Sequence, residues 1–122
     1  MIKEIDHIVF IVKDLGQTEK FYSSFLGKPM HKSKEHVAFE VGSTKLFFGT
    51  PYKNKGDKFD KDFLGFNHIA FRVNNLDDLQ KLKRDLEKAS IKNSGINIDR
   101  YGKKEFIWLD DPNGIRVEFY LR

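Results

Sequence analysis

Cysteine is absent from the 122 residues, so the chain has no disulfide framework, thiolate zinc site or cysteine nucleophile. Long apolar runs are missing too. No stretch approaches the roughly 20 residues needed to span a membrane. Met1-Ile2-Lys3-Glu4 leads straight into a strand pattern with no signal-peptide pattern, so a soluble, cytoplasmic protein is the expectation. Also lacking is a stripe of one-signed charge. The net charge of +4 is dispersed, and where Lys53, Lys55, Lys58 and Lys61 cluster, Asp57, Asp60 and Asp62 are interleaved with them. Nucleic-acid binders show a one-signed stripe or a recognised motif, so neither nucleic acid nor a membrane is expected as a partner. A mild attraction for anionic small molecules is compatible with the charge but not demonstrated by it.

What is present suits one compact domain over residues 1–122. Hydrophobic residues make up 39% of the chain and include twelve Phe, enough for one core, while 33% charged residues solvate the surface. The most informative feature is a repeat. Asp6-His7-Ile8-Val9-Phe10-Ile11-Val12-Lys13-Asp14-Leu15 aligns without a gap on Asn67-His68-Ile69-Ala70-Phe71-Arg72-Val73-Asn74-Asn75-Leu76. Five of the ten positions are identical. A repeat at this spacing means one supersecondary unit built twice. It sets two imidazoles at equivalent points of two modules, a way to build a site between them.

The order of elements agrees with the repeat. Ile5 to Val12 reads as a buried strand, and Asp14 caps a helix beginning near Leu15 or Gly16. Phe21, Tyr22, Phe25 and Leu26 form its apolar stripe, which Gly27 and Pro29 end. Three short strands follow, around Met30 to Ser33, His36 to Val41 and Lys45 to Gly49, the last two joined through Gly42-Ser43. In the second half Asn67 to Val73 is the strand, and Asn75 caps a helix from Leu76 to about Ala89, striped by Leu79, Leu82 and Leu86. A first strand lies within Ile91 to Ile98. Lys104 to Asp110 and Ile115 to Leu121 make a hairpin across Asp111-Pro112-Asn113-Gly114. Both halves read βαβββ. The fold class is therefore α+β, with a mixed sheet and helices on its outer face, module one about 1–50, a polar linker over 51–62 and module two about 63–122.

Strand alternation assigns faces. Ile8, Phe10, Val12 and Ile69, Phe71, Val73 suit packing under a helix, leaving His7, Val9, Ile11 and His68, Ala70, Arg72 on the other face. Val117, Phe119 and Leu121 face one way, Arg116, Glu118 and Tyr120 the other. Taken alone, a strand histidine fits a hydrogen-bonded core residue and Glu118 the solvent face of an edge strand; the matched pair makes a site. Arg72 and Arg116 suit either steering of an anionic substrate or surface ion pairing. Phe39, Phe47, Trp108 and Tyr120 suit either a cavity wall or the core. His31 and His36, near strand starts and unmatched in the repeat, read as surface residues.

Taken together, Asp6-His7-Ile8, Phe21-Tyr22, Asn67-His68-Ile69-Ala70-Phe71-Arg72-Val73 and Leu109-Asp110-Asp111-Pro112-Asn113-Gly114-Ile115-Arg116-Val117-Glu118 resemble the vicinal oxygen chelate superfamily. That superfamily groups glyoxalase I, extradiol dioxygenases, fosfomycin-resistance thiol transferases and bleomycin-resistance proteins. The resemblance spans essentially the whole chain. It implies paired βαβββ modules forming a cupped sheet that holds a divalent metal, with His7, His68 and Glu118 as ligands and Glu118 as the catalytic carboxylate. Phe47 falls on a fourth ligand position when Lys45-Leu46-Phe47-Phe48 is laid over Arg116-Val117-Glu118-Phe119. Phe47 cannot ligate, which departs from the four-ligand pattern of glyoxalase I. Two imidazoles and one carboxylate suit Mn(II), Fe(II), Zn(II) or Ni(II) and leave coordination positions open. A small-molecule substrate with two adjacent oxygens would then chelate the metal, beside a pocket wall of Phe47, Trp108, Tyr120 and Arg116. Lyase, thiol-transferase and dioxygenase chemistry all remain open, as does a metal-free protein that sequesters a drug or metabolite. Open sheet edges favour a homodimer.

Overall fold

The computed structural model describes residues 1–53 and 58–122, and Lys55 and Asp57 of the expected linker cluster lie outside the described residues. The chain divides into two compact units, Met1–Asp57 and Lys58–Arg122, with the division inside the polar stretch 51–62. Module one comprises β1 (His7–Ile11), α1 (Leu15–Leu26), β2 (His31–Lys32), β3 (His36–Val41) and β4 (Thr44–Gly49). Module two comprises β5 (His68–Val73), α2 (Leu76–Lys88), β6 (Asn97–Ile98), β7 (Glu105–Asp110) and β8 (Arg116–Leu121). Each module has its own four-stranded mixed sheet, ordered β1-β4-β3-β2 and β5-β8-β7-β6. In each, the first strand runs parallel to the last and the remaining pairs are antiparallel. The two expected βαβββ units are present.

Local chemistry places both helices. Asp14 accepts a hydrogen bond from the Gln17 amide at 2.8 Å, and Asn75 does the same for the Asp78 amide at 2.8 Å. Each satisfies one of the amides that a helix start leaves without an internal partner. Asp77 and Asp78 in the first turn of α2 and Lys88 in its last complement the helix dipole. Gly27 ends α1 at φ 81°, a left-handed conformation that costs glycine little.

The apolar faces then pack as alternation requires. Tyr22 of α1 is fully buried, with its ring 4.4 Å from that of Phe48 and 6.3 Å from that of Phe39. Under α2, Leu79 and Leu86 are fully buried, as are Ile107, Leu109 and Val117 on the strands of that module. Phe39 therefore belongs to the core rather than to a cavity wall. The first strands are half-buried rather than buried throughout. Val9 is 54% and Ile11 44% exposed, because the face opposite the helix is not covered within module one.

The expected strand within Ile91 to Ile98 shortens to Asn97–Ile98. Ser90 at φ 58° and Gly95 at φ 69° bend the backbone out of extended geometry first. No helix among the described residues is long and apolar enough to cross a membrane.

Candidate metal and ligand site

The register shows how the repeat treats the two open faces. His7 pairs with Lys45 and Val9 with Phe47; His68 pairs with Arg116 and Ala70 with Glu118. Phe47 and Glu118 therefore occupy the same place in their modules, two residues along from the strand partner of the histidine. Where module two presents a carboxylate, module one presents a phenyl ring.

Each histidine is held by the residue before it. Asp6 Oδ2 accepts from His7 Nδ1 at 2.8 Å, and Asn67 Oδ1 accepts from His68 Nδ1 at 2.8 Å. The Asn67 amide is itself oriented, its Nδ2 donating to the Lys61 carbonyl at 2.8 Å. With an acceptor on Nδ1, the neutral imidazole carries its proton there and leaves the Nε2 lone pair available, the state a metal ligand needs. The His7 hydrogen bond, reinforced by nearby Lys45, holds the Asp6 carboxyl below its ordinary range. Asp6 and Asn67 were visible in the repeat as a matched Asp/Asn pair, and both types can accept a hydrogen bond; that shared capacity was the signal for this role.

In module two the turn Asp111–Gly114 delivers the carboxylate. Asp111 Oδ1 accepts from the amides of Asn113 at 2.7 Å and Ile115 at 2.9 Å, and Gly114 takes φ 88°. This fixes the start of β8 and points Glu118 to the face shared with His68. Glu118 Oε1 lies 3.6 Å from His68 Nε2 and accepts from the Tyr120 hydroxyl at 2.7 Å. Burial, then the bond to Glu118, push that hydroxyl up to about 12, so it stays protonated and donating at neutral pH. Two donors each about 2.1 Å from one cation stand at most about 4.2 Å apart, so the His68–Glu118 separation fits a shared divalent ion. Among the described residues no group of three or more His, Asp or Glu side chains forms a ready-made metal cage.

Trp108 pairs with Glu118 across β7 and β8. Arg116 lies over the Trp108 ring at 4.1 Å and its Nε reaches Asp110 Oδ1 at 2.6 Å. Arg116 thus takes the ion-pairing alternative, and its guanidinium is committed within module two. Tyr120 stacks on Phe106 at 4.9 Å.

Module one contains a cleft of about 810 Å³ lined by His7, Val9, His36, Phe47, Gly49 and Tyr52, among others. The Phe47 ring stands 5.6 Å from His7 and 5.8 Å from His36. His36 is half-buried in this cleft rather than a plain surface residue. The repeat could not reveal it, because module two has no histidine at the corresponding point.

The family model described as Glyoxalase/Bleomycin resistance protein/Dioxygenase superfamily matches residues 4–119. The chain belongs to that superfamily. A relative, the Uncharacterized protein YaeR of Escherichia coli (strain K12), is 26% identical over 127 residues, covering 98% of this chain and 96% of its own. Among solved structures, the glyoxylase/bleomycin resistance protein/dioxygenase domain from Frankia sp. EAN1pec superposes with a TM-score of 0.82 at 20% identity, covering 99% of this chain and 93% of that one. The genomically encoded fosfomycin resistance protein FosX from Listeria monocytogenes gives 0.75 at 17% identity, covering 100% and 95%. At these identities the likeness is one of fold.

Proposed function

We propose that this superfamily member is a small metal-dependent enzyme that holds Mn(II), Fe(II), Zn(II) or Ni(II) through His7, His68 and Glu118. Its substrate is a small molecule that chelates the metal through two adjacent oxygens, and its chemistry is of the lyase, thiol-transferase or dioxygenase kind. The observation that carries the reading is the twice-built histidine clamp, in which a side-chain oxygen of the preceding residue holds Nδ1 and frees Nε2 in both modules. The 3.6 Å approach of Glu118 to His68 supports it.

When bound, the metal supplies Lewis acidity that stabilises negative charge developing on a coordinated oxygen. The chain's own residues do the rest. Asp6 and Asn67 fix ring orientation and tautomer. Glu118 supplies the negative ligand, and Tyr120 restrains it by donating to Oε1 while leaving Oε2 for a second interaction. As the catalytic carboxylate, Glu118 would accept a proton from a substrate carbon or water through that second oxygen. The reading includes the cytoplasm as compartment and a homodimer, since each sheet ends on edge strands that gain by being covered. A strict monomer in light scattering at tens of micromolar would remove the dimer from it.

The test is elemental analysis of protein purified without a histidine tag, followed by calorimetric titration with each of the four metals. We expect one divalent ion per chain, lost in His7→Ala and His68→Ala with the circular dichroism unchanged. Binding should weaken in acid, because a protonated histidine cannot ligate. No uptake of any of the four, or undiminished uptake in the double alanine variant, overturns the metalloenzyme and leaves a metal-free sequestering protein, which the phenyl ring of Phe47 at the carboxylate position would suit.

A further inference from the structure

The open face of module one carries further rings beside His7, the ligand that the proposed metal site takes from this module. Val9, Phe47, Ala38 and His31 are successive partners across all four strands. His7 and His36 flank Phe47 from the neighbouring strands at 5.6 and 5.8 Å, and His31 lies 4.9 Å from His36. These separations are those of ring pairs in contact. Ala38 opposite Phe47, and Gly49 beyond it on β4, keep the floor low, so the phenyl ring stands half-exposed beside open space.

Around this floor the cleft measures about 810 Å³, within the range of small-molecule sites. Its formal charges cancel, since Lys34 and Lys45 are set against Asp6 and Glu35. Asp6 is further committed to His7. A ligand entering here meets a ring face, an apolar neighbour in Val9 and one imidazole, His36, that the histidine clamp leaves out. No surplus charge of either sign is available to it.

We propose that the module-one cleft binds a planar, uncharged aromatic small molecule, with its ring against Phe47 and a polar edge against the His36 imidazole. The cleft shares His7 with the proposed metal site, but this binding does not require the metal. It assigns Phe47 and His36 as the residues that select ligand shape, where module two uses its carboxylate.

The probe is N-phenyl-1-naphthylamine, neutral and fluorescent when it leaves water, compared with 8-anilinonaphthalene-1-sulfonate, the same ring framework with a fixed negative charge. Titration of the chelator-treated full chain should give saturable enhancement with about one neutral probe per chain. The sulfonate should bind at least tenfold more weakly. Phe47→Leu, which keeps an apolar side chain and removes the ring, should weaken the neutral probe about fivefold, matching the stacking contribution of one aromatic pair. Phe47→Ala should weaken it more, and His36→Ala about threefold. Tyr101→Ala, at an 87% exposed ring in module two, should change nothing. Unsaturable fluorescence, equal affinity in the wild type and Phe47→Leu with both folded by circular dichroism, or tighter binding of the sulfonate each overturns the inference. Because the titration runs without metal, failed metal uptake alone sinks only the enzyme, and unaltered probe binding in the Phe47 variants sinks only this site.

Discussion

Asp6 and Asn67 do the same work with different electrostatics, and the difference is testable at the level of one side chain. A carboxylate on Nδ1 raises imidazole basicity more than an amide does, while either fixes the ring. Removing the acceptor should free the His68 ring to turn and change tautomer. On the metalloenzyme reading, Asn67→Ala is therefore expected to weaken metal affinity by about tenfold to a hundredfold, the usual scale for loss of a ligand's supporting partner. Asn67→Asp should restore most of it, since the oxygen is retained. Calorimetry reads the affinity, and nitrogen chemical shifts of the His68 ring in metal-free protein read the tautomer. Unchanged shifts in Asn67→Ala would show that the hydrogen bond does not set the ring. The histidines themselves were legible because duplication prints them twice. His36 was not: its relation to Phe47 arises from a cross-strand register, and only folding brings residues eleven positions apart into ring contact.

Caps, apolar stripes and the hairpin turns are short-range chemistry, and the sequence states them directly: Asp14, Asn75, Gly27 and Asp111–Gly114 all act as their residue types predict. The stretch before β7 is different. It is organised by a side chain reaching the far end of module two, which no local pattern announces. Asp99 is buried and accepts from the amides of Tyr101 at 3.3 Å and Gly102 at 2.8 Å, and from Arg122 Nη2 at 3.0 Å. A Cβ at Gly102 would stand 2.7 Å from Asp99 Oδ2 and 2.9 Å from Arg122 Nη1, so a larger residue would have to displace this pair. The Gly102 amide first, then Tyr101 and the Arg122 guanidinium, hold the Asp99 carboxyl below its ordinary value, against the opposing effect of burial. A depressed folded pKa means stability that is fully present above the unfolded value, about 3.9, and lost as pH falls through the folded one. Asp99→Asn should therefore lower the urea midpoint most at neutral pH, with the gap to the wild type closing below about pH 4. A gap that stays constant from pH 7 to pH 3 would show that the charge contributes nothing to this turn.

Across the whole chain, two copies of one module keep their topology, register and histidine clamps, and diverge on the open face beside the histidine. The sharpest divergence is Phe47 against Glu118, at register-equivalent positions. In module two the carboxylate comes within 3.6 Å of the histidine imidazole. In module one the same place holds a ring in edge contact with His7. If register alone decides what a side chain at this position can reach, Phe47→Glu should give module one its own histidine–carboxylate pair. The half-exposed setting makes the substitution tolerable, since the helix-packed neighbours Leu46 and Phe48 are untouched. On the metalloenzyme reading, a further carboxylate ligand should tighten Zn(II) binding by at least about tenfold and reduce the coordination positions left for substrate. The same substitution removes the aromatic floor, so the neutral naphthylamine should bind more weakly in the same protein. The two readouts should move in opposite directions. Weaker metal binding together with weaker probe binding would mean that Phe47 acts by packing alone, and that module one has lost its capacity to ligate through that strand.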